Sequence, residues 1–154
     1  MNSSAGTAST EFGVTATVVN HCMVASRGIS FGSYDPTSPS AMTAQGAITA
    51  RCTKGDSVSV ALNQGASPAP GSTAAVPARR MTNGSSYLPY HIYIGAPPNK
   101  EEWGAGGAGR SEPPAQVAAA WSTPITFITY ASLPAGTNVP AGEYSDVVTA
   151  TVTF

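Results

Sequence analysis

Alternation of apolar and polar residues is the main pattern along this chain, and it predicts a succession of short β-strands. In residues 12–18 the apolar side chains fall on one face and Gly or Thr falls on the other. A period of two residues is typical of a half-buried strand. The apolar face comprises Phe12, Val14, Ala16 and Val18. Comparable strand-like runs follow at 46–52, 57–63, 88–94, 125–130 and 144–154.

The segments between these runs are rich in turn-forming residues, which indicates an all-β domain. Short strands with frequent turns favour a β-sandwich, and no amphipathic helix lies between strands to support a parallel sheet. Only residues 114–121 could supply a turn or two of helix. Two stretches, 66–78 and 95–114, hold too much Pro, Gly and Ala for strands. We expect both to be surface excursions from a single domain.

The two ends of the chain carry the most specific pattern. Near the C-terminus an apolar face alternates with threonines, and it comprises Tyr144, Val148, Ala150, Val152 and Phe154. A strand of this quality is expected inside a sheet, with a partner on each edge. At the other end, residues 1–11 are small and polar and lead directly into the 12–18 run. The sequence therefore predicts a flexible, strand-competent extension and an incomplete sheet.

Composition narrows the possible partners. The 154 residues include only 7 Lys and Arg and 8 Asp and Glu, for a net charge of −1. So few basic residues give no electrostatic footprint for nucleic acid or for an anionic membrane. No stretch approaches the roughly 18 apolar residues of a membrane-spanning helix. Low charge also suits a subunit whose edges are covered by its neighbours.

The chain contains two cysteines, Cys22 and Cys52. In an exported protein they would form a disulfide, whereas a reduced buried pair is the alternative for a cytosolic one. The first residues lack the charged and apolar regions of a signal peptide. Export is therefore not evident from the N-terminus, which fits either a cytosolic protein or a mature chain with an added Met.

Candidate catalytic groups are sparse. His21 adjoins Cys22, but neighbours on a strand point to opposite faces and cannot share a proton. Glu143 and Asp146 are three residues apart, which is unfavourable for an acid–base pair on a strand. Two histidines, without suitably spaced carboxylates, do not make a zinc site of the usual kind. We therefore expect no catalytic site, metal or cofactor, and no enzymatic activity.

Aromatic residues offer one alternative function. A sugar-binding surface could be formed by Trp103, Trp121, Tyr87, Tyr90 and Tyr93, although positions in the core or anchoring loops are the favoured interpretation. Alternation places His91 on the same strand face as Pro89 and Tyr93. A structural or exposed histidine is expected there rather than a metal ligand.

Several segments, taken in order, resemble the spore-coat-U domain family, which includes the pilins of archaic chaperone–usher fimbriae. The similarity begins with FGVTATVVNHCMV, ISFGSYDP and AITARCTKGDSVSVALNQG. It continues through Arg80-Met81, LPYHIYI and Trp103-Gly104 to PAGEYSDVVTATVTF. The last segment is the most specific, and the similarity covers nearly all of the chain from residue 12 onward. The long stretches 66–78 and 95–114 depart from the family pattern.

This resemblance implies an incomplete immunoglobulin-like β-sandwich, completed by a donor strand from a neighbouring subunit. It also implies a Cys22–Cys52 disulfide joining the first strand to the second, and hence export through the oxidising periplasm. The implied partners are identical subunits, a periplasmic chaperone, an outer-membrane usher and a tip adhesin, with no nucleic acid. The implied location is an extracellular fimbrium on the cell surface.

The leading hypothesis is a structural pilin that polymerises by donor-strand exchange and supports adhesion and biofilm formation. Residues 1–14 would form the donor extension, with a boundary anywhere from 12 to 19, and 15–154 the pilin domain. The inserting face would be Phe12, Val14, Ala16 and Val18, and the acceptor groove Tyr144, Val148, Ala150, Val152 and Phe154. The alternatives are a self-contained secreted carbohydrate-binding or adhesive β-sandwich, and a spore-coat component.

Overall fold

The computed structural model describes residues 4–107 and 111–154. The first three residues of the expected extension and residues 108–110 of the 95–114 stretch lie outside these ranges. The described residues form strands and no helix. The strands are β1 (Cys22–Arg27), β2 (Met42–Cys52), β3 (Ser57–Leu62), β4 (Arg79–Thr82), β5 (Tyr87–Tyr93), β6 (Gln116–Val117), β7 (Ile125–Leu133) and β8 (Ala150–Thr153).

Two antiparallel sheets face each other. One has five strands in the order β1-β2-β7-β5-β4, and the other has three in the order β6-β3-β8. Because successive side chains on a strand point to opposite faces, each sheet directs one apolar set inward. The all-β, incomplete immunoglobulin-like sandwich expected from the sequence is confirmed. The runs at 46–52 and 125–130 lie within strands, and those at 57–63 and 88–94 extend one residue beyond theirs.

The core lies between the central strands of the two sheets. Its fully enclosed side chains come from alternate positions of β2, β3, β5 and β7, and they include Ala50, Val58, Val60, Leu62, Ile92, Phe127 and Leu133. Burying a side chain of this size stabilises the fold by roughly 1.5–3 kcal/mol. These strands therefore form the stable centre of the domain.

Trp103 is the largest fully buried side chain, although it lies in the 95–114 stretch expected to remain on the surface. Its indole N–H donates to the Val60 carbonyl (2.9 Å), and its backbone N–H donates to the Ile92 carbonyl (2.8 Å). Its ring packs against Phe127 at a centroid distance of 6.5 Å. The expectation of a purely surface excursion is wrong here, because this indole closes one side of the core.

A buried arginine joins the two sheets. Arg79 on β4 donates to the carbonyls of Leu62 (3.3 Å), Asn63 (2.6 Å) and Trp103 (2.6 Å). Its guanidinium also lies 3.6 Å from the Glu102 carboxylate. Burial lowers the pKa of Arg79 from its usual value, and the nearby acidic groups oppose that shift. The hydrogen bonds offset the cost of burying the charge.

The Cys22–Cys52 disulfide implied by the family resemblance is present. The two cysteines face each other across the β1–β2 pair, where β1 is the outermost strand of the five-stranded sheet. The bond closes a separation of 30 residues. It therefore fixes an edge strand that is otherwise held from one side only.

Three sequence expectations differ from the structure. Residues 12–18 form no strand, because no strand of this chain lies beside them, and the first strand begins at Cys22. In the 144–154 run only Ala150–Thr153 forms a strand, β8, and Ser145 forms an isolated bridge with Thr82. The segment 114–121 contains the two-residue strand β6 and no helical turn. Val58 pairs with Gln116, and this pairing fixes an extended backbone there.

Candidate functional site

A large groove opens between the two sheets. Its volume is about 1440 Å³, and it is bounded by β1 on one side and by the C-terminal segment leading into β8 on the other. Both β1 and β8 are edge strands, so each pairs with a single neighbour among the described strands. The groove therefore lies where the sandwich has two unpaired strand edges.

The β1 side of the groove carries apolar surface that faces inward without being covered. Strand register places Val24 opposite Ala50 and Ser26 opposite Ile48, on the same face as the disulfide. Ala50 and Ile48 are buried, yet Val24 is 50% exposed. The same inward direction thus gives full burial on β2 and only partial burial on β1.

The C-terminal side shows the same arrangement. Ala150 pairs with Leu62, and Val152 pairs with Val60. Leu62 and Val60 are buried, whereas Ala150 and Val152 are only partly buried. Of the predicted groove residues, Tyr144, Val148 and Ala150 line the groove and Val152 packs against the core, whereas Phe154 follows β8 and is 48% exposed.

The floor of the groove is apolar, with one polar pair. Its buried residues come from the five-stranded sheet and from β3, and they include Ile48, Leu62, Leu88, Ile92 and Leu133. Tyr90 also lines the floor and donates its hydroxyl to Asp146 Oδ2 at 2.5 Å. Burial, and then the bond to this carboxylate, raise the pKa of Tyr90 well above its usual value. The phenol therefore stays neutral and remains a donor.

The segment between Tyr144 and β8 is held by an isolated backbone bridge between Ser145 and Thr82 and by side-chain hydrogen bonds. Asn63 Oδ1 accepts from the Thr149 backbone N–H (2.9 Å), and Asp146 Oδ1 accepts from that of Ala66 (2.8 Å). Gly65 has a φ of +80°, and a Cβ at this position would collide with the Asp146 carboxylate. These contacts fix the C-terminal side of the groove and explain why the predicted strand is shortened.

Residues 4–20, called here the arm, contact neither side of the groove. Every residue of the arm is exposed, and Phe12, Val14 and Val18 are 84%, 85% and 82% exposed. None of its residues lines the groove. Large apolar side chains with so much exposed surface are typical of a segment that binds elsewhere.

The junction of the arm with the body is anchored by hydrogen bonds and an aromatic stack. The His21 backbone N–H donates to Thr53 Oγ1 (2.9 Å). The Thr53 hydroxyl in turn donates to the Val19 carbonyl (3.2 Å). The Thr53 backbone N–H donates to the His21 carbonyl at 2.9 Å. The His21 ring stacks on Trp121 at a centroid distance of 5.5 Å. The arm therefore departs from a fixed point beside the disulfide.

The other candidate sites are not assembled. Cys22 is bonded to Cys52 and is not available to His21 as a nucleophile. Of the five aromatics that could form a sugar surface, Trp103 and Tyr90 are buried, and Tyr87 packs against Arg80 rather than against the others. Within residues 4–107 and 111–154, no three His, Cys, Asp or Glu side chains are placed to hold a metal. Those ranges also contain no helix with the length and apolar character of a membrane span.

Sequence reasoning did not identify the β1 side of the groove or the segment that follows it. Ile29, Phe31 and Tyr34 line the groove, and the Tyr34 hydroxyl donates to the Pro134 carbonyl at 2.7 Å. The sequence signal for the β1 side was the alternation of Cys22, Val24 and Ser26 on one strand face. It is weak, because one of the three side chains is polar.

The open groove and the two unpaired edges define an immunoglobulin-like sandwich that lacks a strand. The family model for the Spore Coat Protein U domain matches residues 8–151. The chain is also 35% identical to Protein U of Myxococcus xanthus over an alignment 161 positions long. The alignment covers 97% of this chain and 87% of that protein. The chain therefore belongs to the Spore Coat Protein U domain family.

A solved structure has the same fold. It is a chaperone–tip adhesion subunit pre-assembly complex, CsuC–CsuE, from the archaic chaperone-usher Csu pili of Acinetobacter baumannii. The match has a TM-score of 0.57 and 22% sequence identity, and it covers 90% of this chain. This chain spans only 40% of the length of the matched chain. The likeness supports the fold assignment.

Proposed function

We propose that this protein is a structural subunit of an extracellular fibre of the chaperone–usher type, and that the arm of one subunit inserts into the groove of the next. The observation that carries the proposal is an unfilled apolar groove between two unpaired strand edges, in a chain with an exposed alternating apolar segment. Adding a strand at such an edge is an established mode of peptide recognition, and pilin complementation is one of its known examples.

The arm fits the groove in length and in pattern. Residues 12–18 would span about 23 Å as a strand, slightly more than the six-residue β1. Their apolar face would turn toward the groove floor, and Thr15 and Thr17 would turn toward solvent. Backbone groups of the inserted segment would pair with the free edges of β1 and of the C-terminal segment. One sequence thus supplies both the strand that would insert and the groove that would accept it.

The anchored junction favours insertion into a neighbour over insertion into the same subunit. Thr53 holds Val19 and His21, so only a short connection separates residue 18 from β1. Folding back beside β1 would require reversing the chain within those few residues. Insertion into a second subunit requires no such reversal. Since this contact is head-to-tail, it generates a filament unless it closes on itself.

Energetics indicate why such a fibre would persist. Inserting Phe12, Val14 and Val18 gains roughly 1.5–3 kcal/mol for each side chain. Ordering the arm costs about 1–2 kcal/mol per residue and offsets that gain. Completion of the acceptor core supplies the remaining stabilisation. Because release would require opening the acceptor core, the fibre would be stable mainly through slow dissociation.

The remaining partners follow from the exposed groove. Before assembly, half-exposed residues such as Val24 would promote aggregation, so a periplasmic chaperone would cover the groove until an outer-membrane usher promotes exchange. The Csu complex contains a chaperone and a tip adhesion subunit, and a tip adhesin is a corresponding partner for this chain. The disulfide suits the oxidising periplasm and cell surface. Such fibres would support adhesion and biofilm formation, a role that needs no catalysis.

Deletion of the arm tests this proposal. A chain without residues 1–18 should remain folded but form no filaments, whereas the intact chain forms filaments visible by electron microscopy. A synthetic peptide of residues 10–20 should bind the shortened chain and raise its Tm. A matched peptide carrying Val14→Asp should not raise the Tm. Filaments of unchanged length and number from the shortened chain would contradict strand donation.

Membership of the family favours a second candidate, a component of a spore coat. The same strand insertion could build a coat layer instead of a free fibre. Immunogold labelling of intact cells and spores separates the two locations. Label on thin surface filaments supports the fibre, and label confined to the spore surface supports the coat.

A further inference from the structure

A second cavity lies on the outward face of the five-stranded sheet, on the side away from the groove. Its volume is about 670 Å³, within the range of about 300–1,000 Å³ that is typical of small-ligand sites. It is formed by β2, β7 and β5 together with the loop that contains residues 97–100. Because the groove uses the inward face, occupation of this cavity does not depend on strand donation.

Strand register places six side chains in two rows across the base of the cavity. His91 on β5 and Thr43 on β2 both lie opposite Ser132 on β7. In the next row, Tyr93 and Gln45 both lie opposite Tyr130. All six belong to the outward face and line the cavity. The base therefore has aromatic residues toward β5 and β7 and short polar side chains toward β2.

The aromatic side is ordered. The rings of His91 and Tyr93 stack with a centroid distance of 5.4 Å and an interplanar angle of 8°. Tyr93 and Tyr130 are each half-buried, so part of each ring remains accessible. Burial, and then the charge of Glu102, raise the pKa of the Tyr93 hydroxyl. The site thus combines accessible aromatic rings with a neutral hydroxyl donor on Tyr93.

The charge around the cavity is one-sided. Among the described lining residues, Lys100 is the charged one, and none is an Asp or Glu. Glu102 lies nearby but is not a lining residue, and it contacts both His91 and Arg79. Arg79 offsets part of the Glu102 charge, while Lys100 has no ion pair within 4 Å among the described residues.

We propose that this cavity binds an acidic saccharide, with the sugar ring stacked on the tyrosines and a carboxylate near Lys100. Aromatic rings can pack against the C–H face of a pyranose, and its hydroxyls require the kind of mixed donors and acceptors that Thr43, Gln45 and Ser132 supply. The lysine favours an acidic over a neutral sugar because an opposite charge adds attraction. The site would give a fibre subunit affinity for polyanionic polysaccharides along its length.

Calorimetry on the 154-residue chain tests the proposal with hyaluronan tetrasaccharide as the acidic probe and chitotetraose as the neutral one. We expect the acidic probe to bind at least fivefold more tightly at low salt, with the preference reduced at 0.5 M NaCl. Tyr93→Ala should weaken binding of the acidic probe at least tenfold. Lys100→Gln should remove most of the preference for it.

The chain offers matched controls for both substitutions. Lys54 is the other of its two lysines and lies on an exposed turn remote from the cavity, and Tyr87 is another outward-facing tyrosine of β5. Lys54→Gln and Tyr87→Ala should leave binding unchanged, and each variant is checked for an unchanged Tm. Absence of binding by either probe would overturn the proposal. Equal affinity for the two probes, or equal effects of Lys54→Gln and Lys100→Gln, would also overturn it.

Discussion

Two valines show how the centre of this sandwich differs from its open side. Val60 on β3 and Val24 on β1 both point inward from regular antiparallel strands. Val60 is fully buried, whereas Val24 is 50% exposed. Residue type and direction are the same, so the difference lies in the neighbours. β3 has a strand on each side, and β1 has one on a single side.

The comparison separates two requirements that usually coincide. Alternation decides which face a side chain occupies, but burial also requires a further element to cover that face. In the centre, Phe127 and Trp103 provide that cover. At the open side, residues 4–107 and 111–154 provide none, and an exposed apolar segment lies in the arm. We propose that the element that covers the open side comes from another copy of the protein.

The largest expected effect is on assembly. Val14→Asp should abolish filament formation, because an inserted carboxylate would be buried without a partner. Thr15→Asp is the matched control, since its side chain would face solvent, and it should assemble normally. Electron microscopy and heat-sensitive ladders on unboiled gels measure the outcome. Equal assembly by the two variants would show that the arm does not insert with the proposed face.

The next effect is on the closed centre. Trp103→Ala should lower the free energy of unfolding by about 3–5 kcal/mol, because it leaves a cavity and removes the bond to the Val60 carbonyl. Trp121→Ala should cost less than about 1 kcal/mol, since this ring is 41% exposed. Urea unfolding of arm-deleted monomers measures both. Similar losses would remove the distinction between the core and the periphery.

The two valines themselves provide a sharper test. In arm-deleted monomers, Val60→Ala should cost about 2 kcal/mol and Val24→Ala less than about 1 kcal/mol. With the peptide of residues 10–20 bound, the cost of Val24→Ala should rise, because the inserted strand now covers that side chain. The same urea titration with and without peptide measures the change. A cost at Val24 that is unaffected by peptide would contradict the proposed cover.

A further effect concerns the polar pair in the groove floor. Tyr90→Phe should lower the free energy of unfolding by about 1–2 kcal/mol at pH 8, because Asp146 loses a donor. The pKa of Tyr90 is raised in the folded state, so the wild type should lose stability as pH rises above the unfolded tyrosine value of about 10. The loss from this group would approach about 1.4 kcal/mol per pH unit.

Comparing the wild type with Tyr90→Phe isolates the contribution of the Tyr90 hydroxyl to the pH dependence of stability. Since Tyr90→Phe lacks the phenol, its stability should fall less steeply above pH 10, and the difference between the proteins should narrow. Unfolding at several pH values from 8 to 11 measures the two slopes. Parallel slopes would show that Tyr90 does not retain its proton in the folded state.

Sequence analysis predicted the central strands because their apolar side chains alternate and are covered on both sides. It predicted the face shared by Val148, Ala150 and Val152 from the same alternation, although this segment lies at an open edge and is only partly buried. It did not predict that Trp103 is buried, since a Gly- and Pro-rich segment carries no periodicity and the indole is placed by its bonds to β3 and β5. The β1 side of the groove was missed because Val24 resembles a surface residue until its register with Ala50 is known.

The arm marks the other limit of sequence analysis. Phe12, Val14, Ala16 and Val18 have the pattern of a strand, but they form none in a single copy of the chain. Period-two alternation predicts that a segment can pair, and it does not specify the partner. Their role as the inserting face therefore stays a prediction.

Site-specific photo-crosslinking tests the central claim most directly. A benzophenone amino acid replaces Val14 in an isotope-labelled chain, which is assembled with an excess of unlabelled chain and irradiated. We expect labelled arm peptides crosslinked to unlabelled peptides from the groove, at residues 24–34 or 139–150. As the control, the benzophenone amino acid replaces Val76 on an exposed loop, and it should form no crosslinks to the groove. Position-14 crosslinks confined to the same chain, or to the outward sheet face, would contradict strand donation between subunits.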